Sequence, residues 1–170
     1  EGHPDNTTVE HLQTLYRFGF KRVSLGIQDF DPHVQLMINR FQTVGQVEKI
    51  THTARTIGYK SINFDLIYGL PFQTLNGLSS TINEVINLKP DRIAFYSYAH
   101  VPWLKPGQRR YTEHDLPNSE MKFELYNLGK SKLLHARFEE IGMDHFAKKT
   151  DSLFIALEQN KLHRNFMGYT

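Results

Sequence analysis

Three short apolar segments, separated by longer segments with helical periodicity, constrain the fold of this chain most strongly. The apolar segments are Arg22 to Gln28, Ser61 to Ile67 and Arg92 to Tyr98. They recur about every 35 residues, which is the length of one strand, one helix and the turns between them. Strands that alternate with helices in this way indicate a parallel β-sheet.

Capping residues and apolar periodicity predict a helix around each of these strands. The sequence Thr7-x-x-Glu10 has the spacing of a capping box, and Gly19 suits the left-handed position after a helix. The predicted helices are Thr7 to Gly19, a short one ending near Asn39, one from the Thr43-x-x-Gln46 box to Ile57, and one from Thr74 to Leu88.

The first two strands alternate between apolar and small polar residues. Fully buried parallel strands are usually apolar throughout, so this alternation predicts one face packed on helices and one polar face. The polar face either holds a ligand or is satisfied by water and neighbouring strands. Gln28 and Asp65 lie near the carboxyl ends of their strands, where α/β barrels build their active sites, and this placement favours a ligand.

The repeat stops after Tyr98. A helix is predicted from Asn118 or Ser119 to Gly142, interrupted at Gly129, and a short one from Ser152 to Gln159. With 170 residues, the chain is shorter than the roughly 200–250 residues of a closed α/β barrel. We therefore predict an α/β fold: a partial (β/α) barrel of about three parallel units in residues 1–100 and a helical extension in 101–170.

Composition excludes several classes of function. A net charge of +2 gives no sign of a nucleic-acid partner, and no apolar run is long enough to span a membrane. The absence of cysteine excludes disulfides and a cysteine-ligated metal, and a cytoplasmic location is expected. The nine histidines are scattered without metal-binding spacing, and no P-loop, G-x-G-x-x-G or G-x-S-x-G motif is present.

Several motifs resemble the coproporphyrinogen-oxidase branch of the radical S-adenosylmethionine (SAM) enzymes. They are Ser24-Leu25-Gly26-Ile27-Gln28-Asp29-Phe30, Asn39-Arg40, and Asp65-Leu66-Ile67-Tyr68-Gly69-Leu70-Pro71-x-Gln73-Thr74. The resemblance continues through Tyr98-Ala99-His100-x-Pro102, Ile141-Gly142-Met143-Asp144-His145-Phe146-Ala147 and His163-Arg164-Asn165-Phe166-x-Gly168-Tyr169-Thr170. The motif that begins at Asp65 would by itself also fit the related haem-chaperone proteins, whereas the last three motifs favour the oxidases.

The resemblance implies an anaerobic step of haem biosynthesis. In this family a cysteine loop holds a [4Fe–4S] cluster, and two SAM molecules bind per chain. A 5′-deoxyadenosyl radical abstracts hydrogen from propionate side chains, and coproporphyrinogen III becomes protoporphyrinogen IX. The cluster cysteines are absent here, and the chain begins at Glu1. We therefore expect an internal part of a longer enzyme that has no activity by itself.

The same resemblance implies roles for five cofactor-binding residues. Glu1 matches an acidic residue that contacts the cluster-bound SAM. Gln28, Arg40, Asp65 and Ala99 match positions that hold a second SAM. A carboxylate can accept hydrogen bonds from ribose hydroxyls or an ammonium group, and a guanidinium can bind a carboxylate with two hydrogen bonds. A surface ion pair is the alternative for Arg40.

The extension matches the part of the family that closes the barrel mouth over the substrate. Coproporphyrinogen carries four carboxylates, so cations are expected there. His145 and Arg164 are candidate substrate contacts, and Phe166 offers an apolar surface to the macrocycle. The partners implied are coproporphyrinogen III and an electron donor. The first strand would also present an open sheet edge through which the chain could self-associate.

Overall fold

A five-stranded sheet organises the chain in the computed structural model, which describes residues 1–165, 168 and 169. Its strands are β1 (Arg22–Gln28), β2 (Ser61–Tyr68), β3 (Arg92–Ser97), β4 (Phe138–Gly142) and β5 (His145–Lys148). Their order across the sheet is β1-β2-β3-β5-β4. β1, β2 and β3 are parallel neighbours, which confirms the predicted α/β class and its three parallel units.

Six α-helices connect and cover these strands. They are α1 (Val9–Arg17), α2 (Pro32–Ile38), α3 (Val44–Ile57), α4 (Leu75–Asn87), α5 (Ser119–His135) and α6 (Ser152–Glu158). The Thr43 and Gln46 capping box at α3 is confirmed. The predicted box at α1 is wrong by one residue, because Thr8 and His11 form it. Thr7 instead donates its hydroxyl to the His3 carbonyl at 2.8 Å.

The predicted apolar face of the sheet packs against helices. Leu25, Phe64 and Phe95, one from each parallel strand, are fully buried. They share a core with apolar residues of α1, α3, α4 and α5. Each fully buried side chain of this size contributes about 1.5–3 kcal/mol of hydrophobic stabilisation, so this face fixes the strand register.

The C-terminal extension is not wholly helical. The predicted helix to Gly142 ends at His135, and Arg137 then adopts a left-handed φ of 65°. Residues 138–148 form the antiparallel hairpin of β4 and β5. Its two turn residues, Met143 and Asp144, have positive φ angles of 44° and 63°, as a type I′ hairpin turn requires.

Gly129 does not interrupt the helix that contains it. A Cβ atom at this position of α5 would overlap the ring of Phe95. The glycine therefore allows α5 to approach β3 closely, which is a packing role rather than a break in the helix.

β5 joins the extension to the parallel strands. It pairs antiparallel with β3, and the Asp144 carbonyl accepts a hydrogen bond from the Phe95 amide at 2.7 Å. One sheet thus runs through both parts of the chain. The division into residues 1–100 and 101–170 stays a prediction.

The amino ends of the strands are closed on the polar side. Asp151, which caps α6, accepts hydrogen bonds from Ser61 Oγ and Arg92 Nε, each at 2.7 Å. Both partners lie on the polar face, at the starts of β2 and β3. The segment that follows β5 therefore covers this end of the polar face.

The outer edge of β1 is partly covered. Gly2 forms a parallel bridge to Leu25, with its amide donating to the Ser24 carbonyl at 2.8 Å and its carbonyl accepting from the Gly26 amide at 3.1 Å. The prediction that nothing pairs with this edge is therefore wrong at its centre. Within the described residues, no helix is long and apolar enough to cross a membrane.

Candidate functional site

One row of residues crosses the polar face of the sheet. Gly26, Asp65, Ala94 and His145 occupy successive register positions on β1, β2, β3 and β5. Residues paired across neighbouring strands lie on the same face, so all four side chains belong to the polar face. Because Ala94 is small, space remains beside the Asp65 carboxylate on the β3 side, while the space over Gly26 is taken up by the side chains of Arg40 and Gln28.

Asp65 is held in place by its neighbours on the polar face. Its two carboxylate oxygens accept hydrogen bonds from Ser24 Oγ and Asn63 Nδ2, each at 2.7 Å. Burial raises the pKa of Asp65, and these hydrogen bonds oppose the rise. Asn63 Oδ1 is buried and has no hydrogen-bond partner among the described residues. The group therefore presents a fixed carboxylate and an acceptor that is still available to a ligand.

Tyr96 and His145 form the other side of this face. Tyr96 lies two residues beyond Ala94, and its hydroxyl is 3.4 Å from His145 Nε2. His145 Nδ1 lies 2.6 Å from the Met143 carbonyl, which can only accept, so Nδ1 carries a proton. Burial raises the pKa of Tyr96, and the carboxylates of Asp65, Asp144 and Glu1 raise it further. Tyr96 is thus a neutral phenol at physiological pH.

Arg40 reaches the polar face from the loop after α2. The left-handed φ of 54° at Asn39 ends α2 and turns the chain back towards β1. Arg40 Nη2 donates to the Gly26 carbonyl at 3.1 Å, whereas its buried Nε has no partner in the described part of the chain. Burial lowers the pKa of Arg40, while the charges of Glu1 and Asp65 raise it. The charges of two carboxylates thus act on this guanidinium, and its Nε is a donor without a partner in the described residues.

Gln28 lies beside Arg40 over Gly26. A Cβ atom at Gly26 would be 2.5 Å from Arg40 Nη2 and 2.8 Å from Gln28 Nε2, so both side chains depend on the glycine. Gln28 is only 8% exposed. Its side-chain amide has no hydrogen bond to any described residue, and the residue lines a cavity, so the amide is available to a ligand there.

A cavity of about 470 Å³ opens at the carboxyl ends of the strands. Gln28 and Arg40 line it, together with Tyr98, Lys105, Gln108 and Tyr111. The Tyr98 and Tyr111 hydroxyls are 2.5 Å apart, and burial raises the pKa of Tyr98. Gln108 donates to the Ala99 carbonyl at 3.1 Å and accepts from the Val101 amide at 2.6 Å. These bonds fasten the wall formed by residues 105–111 to the end of β3.

The structure brings most of the predicted site residues into two adjoining places. Asp65 and His145 lie on the polar face, Gln28 and Arg40 join it to the cavity, and the charge of Glu1 acts on both Arg40 and Asp65. The Ala99 carbonyl accepts a hydrogen bond from Gln108, which lines the cavity.

The other described substrate candidate, Arg164, is not brought to this site. Arg164 is exposed and pairs with Tyr169 in a short antiparallel ladder, and its side chain makes no hydrogen bond or ion pair with another described residue. Phe166 lies outside the described residues.

Sequence reasoning missed Tyr96, although alternation along β3 would have placed it on the polar face with Ala94. It also missed Tyr111, whose position depends on a contact across the chain that no local pattern reveals.

Known proteins resemble the chain over nearly its whole length. An oxygen-independent coproporphyrinogen III oxidase of Helicobacter pylori is 48% identical over 167 residues, which cover 98% of this chain and 36% of that protein. A protein of the same name from Pseudomonas aeruginosa is 48% identical over 156 residues, covering 92% of this chain and 34% of the relative. No protein-family model matches the chain.

A solved structure matches as well. Coproporphyrinogen III oxidase from Escherichia coli, described as a radical SAM enzyme, superposes with a TM-score of 0.93 and 39% identity. The match covers 99% of this chain and 39% of that one. The chain belongs to the oxygen-independent coproporphyrinogen III oxidase family. It spans about a third of the length of the curated relatives it matches.

The coproporphyrinogen oxidase likeness covers both parts of the chain. Because it spans 99% of the residues, the β4–β5 hairpin and the wall of the cavity belong to the shared fold as much as the parallel strands do. The polar face and the cavity are therefore parts of one family structure.

Proposed function

We propose that this chain is part of an anaerobic haem-biosynthesis enzyme that oxidatively decarboxylates two propionates of coproporphyrinogen III to vinyl groups, giving protoporphyrinogen IX. The likeness to oxygen-independent coproporphyrinogen III oxidases over nearly every residue carries this proposal. The site adds chemical support, because the polar face combines carboxylates, a guanidinium and small residues at the carboxyl ends of parallel strands.

SAM suits the donors and acceptors of this site. The molecule carries a carboxylate, an ammonium group, a sulfonium and two ribose hydroxyls. Arg40 Nε and the Gln28 amide would bind the carboxylate, and Asp65 would accept from the hydroxyls or the ammonium group. Ala99 leaves room for the adenine, and Glu1 would contact the cluster-bound SAM. With a [4Fe–4S] cluster, SAM supplies the radical that removes hydrogen from the substrate.

The cluster itself has no ligands here. The sequence contains no cysteine, so its residues do not fit a cysteine-ligated cluster. The 170 residues alone would therefore be inactive, and the cluster would be held by other residues of the enzyme.

The substrate side of the site is a separate proposal. His145 lies on the polar face two strands from Asp65, within reach of a molecule bound over Ala94. We propose that His145 contacts a substrate propionate, with Arg164 and Phe166 contributing from the end of the chain. An electron donor is needed as well, because the cleavage that turns SAM into a radical consumes one electron. The substrate radical left by hydrogen abstraction then loses CO₂ and one electron to form the vinyl group, and that electron has to pass to an acceptor.

A non-catalytic relative of the haem-chaperone type is the second candidate. It would share the cluster and the SAM chemistry, so cluster content does not separate the two. A chimera does: this chain replaces the matching segment of the Escherichia coli enzyme, and the product is assayed anaerobically with coproporphyrinogen III. We expect protoporphyrinogen IX to form.

The chimera also needs a matched control. An Asp65→Ala version should retain its cluster and lose most of the activity. A chimera that folds, holds its cluster and binds SAM, but forms no protoporphyrinogen IX while the unmodified Escherichia coli enzyme does, would favour the chaperone-like candidate.

Self-association through β1 is a further proposal, as is a cytoplasmic location. Gly2 covers the β1 edge only beside Leu25, and unpaired strand edges seek partners. We expect the 170-residue chain to associate at high concentration. Light scattering that shows a monomer throughout the concentration range would contradict this.

A further inference from the structure

β1 ends in a strained turn at Gln28. The residue has a left-handed φ of 66°, and the Asp29 amide donates to the Ile27 carbonyl at 2.9 Å. This bond closes a three-residue γ-turn of the hand that has positive φ, which is rare and strained for a residue other than glycine. Strained backbone of this kind persists only where the surroundings hold it, and it concentrates at functional sites.

The buried carboxylate of Asp29 lies directly behind this turn. The residue is 0% exposed. Its Oδ1 accepts from the Asp31 amide at 2.8 Å and from Thr81 Oγ1 at 2.5 Å, and its Oδ2 accepts from Gln73 Nε2 at 2.6 Å. Three donors from three different segments thus converge on a single carboxylate.

The orientation of each donor is fixed by a second contact. Gln73 Oε1 accepts from the Gly69 amide at 2.7 Å, so its Nε2 must point to Asp29. Thr81 Oγ1 accepts from the Phe30 amide at 3.1 Å, so its proton is directed to the same carboxylate. These partners cannot be reversed without leaving a buried donor or acceptor unpaired.

The turn decides where the Gln28 side chain goes. A strand that continued straight would carry it past Gly26, whereas the turn folds its Nε2 back over Gly26, beside Arg40 Nη2. Arg40 and Gln28 then line the same cavity, and the buried Arg40 Nε has no hydrogen-bond partner among the described residues. Two nitrogen donors brought together in this way suit a carboxylate.

We propose that Asp29 is a positioning residue, which holds Gln28 in its strained turn so that Gln28 and Arg40 meet the carboxylate of the bound ligand together. Asp29 does not touch the ligand. The inference rests on the proposed function only in identifying that ligand as SAM.

A double-mutant cycle tests the link between Asp29 and the strain without any ligand. Glycine adopts positive φ freely, so Gln28→Gly should raise the Tm of the chain by about 2–4 °C. In an Asp29→Asn background the network is broken, because an amide nitrogen would face the donors of Gln73 or Thr81. The turn relaxes there, and the same Gln28→Gly change should alter Tm by less than about 1 °C.

The cycle has a clear contrary outcome. An equal rise in both backgrounds, or a fall in the wild-type background, would show that Asp29 does not hold the strain. Asp29→Asn could also prevent folding, so Thr81→Ala, which removes a single donor, serves as a milder background with a smaller but measurable coupling.

SAM titration tests the functional half of the proposal. Asp29→Asn should raise the Kd for SAM about tenfold or more. Asp151→Asn is the matched control, since Asp151 is also buried and also accepts three hydrogen bonds, at the opposite end of the strands. It should lower Tm comparably and leave the Kd for SAM unchanged.

The double-mutant cycle and the SAM titration would fail in different ways. Equal weakening of SAM binding in both variants would reduce Asp29 to a general structural role and overturn the proposal. No SAM binding by the wild-type chain would count against the proposed cofactor site, and the thermal coupling would still decide whether Asp29 holds Gln28.

Discussion

Asp65 and His145 lie in one row of the sheet, with only the methyl group of Ala94 between them. Two strand spacings of about 4.8 Å separate their backbones by about 10 Å. That gap is wide enough for a ligand group to meet both side chains. It places the proposed SAM contacts and the proposed substrate contact on the two sides of a single opening.

Loss of the Asp65 carboxylate should weaken SAM binding. A polar contact to a bound ligand is worth about 1–3 kcal/mol, so Asp65→Ala should raise the Kd for SAM about ten- to a hundredfold. Isothermal titration of the chain measures this. Glu139→Ala, which removes an exposed carboxylate partner of Lys149, is the control and should leave the Kd unchanged. Wild-type affinity in Asp65→Ala would remove this residue from the site.

Gly26→Ala should displace Arg40 and Gln28 together. The new methyl group would lie 2.5 Å from Arg40 Nη2 and 2.8 Å from Gln28 Nε2, which are the mobile ends of long side chains. Stability should therefore change by less than about 1 kcal/mol while SAM binding is largely lost. Gly107→Ala, at the same cavity but with no atom within 4 Å, is the matched control. Unchanged binding in Gly26→Ala would contradict the proposed use of this space.

Gly129→Ala should destabilise the chain. Its methyl group would overlap the fully buried Phe95 ring, and overpacking costs about 1–3 kcal/mol. The better helix propensity of alanine returns about 1 kcal/mol at most. Gly45→Ala in α3, where the nearest atom would be 4.0 Å away, should be neutral or stabilising. Urea unfolding compares the two, and equal effects would refute the close packing of α5 on β3.

The pH dependence of stability should reveal the environment of Asp65. Burial raises its pKa above the ordinary 3.8, so the folded state holds the proton more tightly than the unfolded state. Its contribution to stability therefore falls as the pH rises from about 3.8 through the raised pKa, and is level above it. Asp65→Asn lacks this effect, so its stability relative to wild type should increase over that window in urea unfolding.

Asp115 provides a control of opposite sign. Hydrogen bonds from Thr112 lower its pKa, so its contribution to stability is present above pH 3.8 and is lost as the pH falls through the lowered pKa. Asp115→Asn should therefore lose stability relative to wild type as the pH rises. A pH-independent difference for Asp65→Asn would show that its carboxyl is not perturbed.

The chain should hold no iron–sulfur cluster. Since the sequence has no cysteine, anaerobic reconstitution with iron and sulfide should leave it colourless. The measurements are the visible absorbance and the EPR signal after desalting, with the Escherichia coli oxidase as the positive control. A stoichiometric [4Fe–4S] signal would mean that other ligands in this chain bind the cluster.

Local sequence patterns account for much of the fold. Strand parity placed Asp65 on the polar face, and the Thr43 and Gln46 box located the start of α3, because both signals depend on neighbours a few residues apart. The hairpin at residues 138–148 was missed. Its strands are short, and they gain their stability by pairing with β3, some fifty residues away in the chain.

The sequence predicted which residues form the site, but it did not predict the backbone conformation that orients them. The family motifs identified Gln28 and Arg40 as site residues. Glutamine has no preference for positive φ, so the turn at Gln28 could not be predicted from the residue type. The γ-turn arises from Asp29, Gln73 and Thr81, which meet only after α4 has packed beside β1. No pattern within one segment encodes a bond between three segments.

The closed amino end of the polar face has a kinetic consequence. Asp151 and α6 block approach from that side, so a molecule that travels along the strands to Asp65 comes from the carboxyl ends, where Gln28 and Arg40 line the cavity. Whatever occupies the mouth is then the last to enter and the first to leave. An enzyme built on this arrangement would bind its ligands in compulsory order, and a dead-end analogue of the outer ligand would trap the inner one, giving uncompetitive inhibition with respect to it.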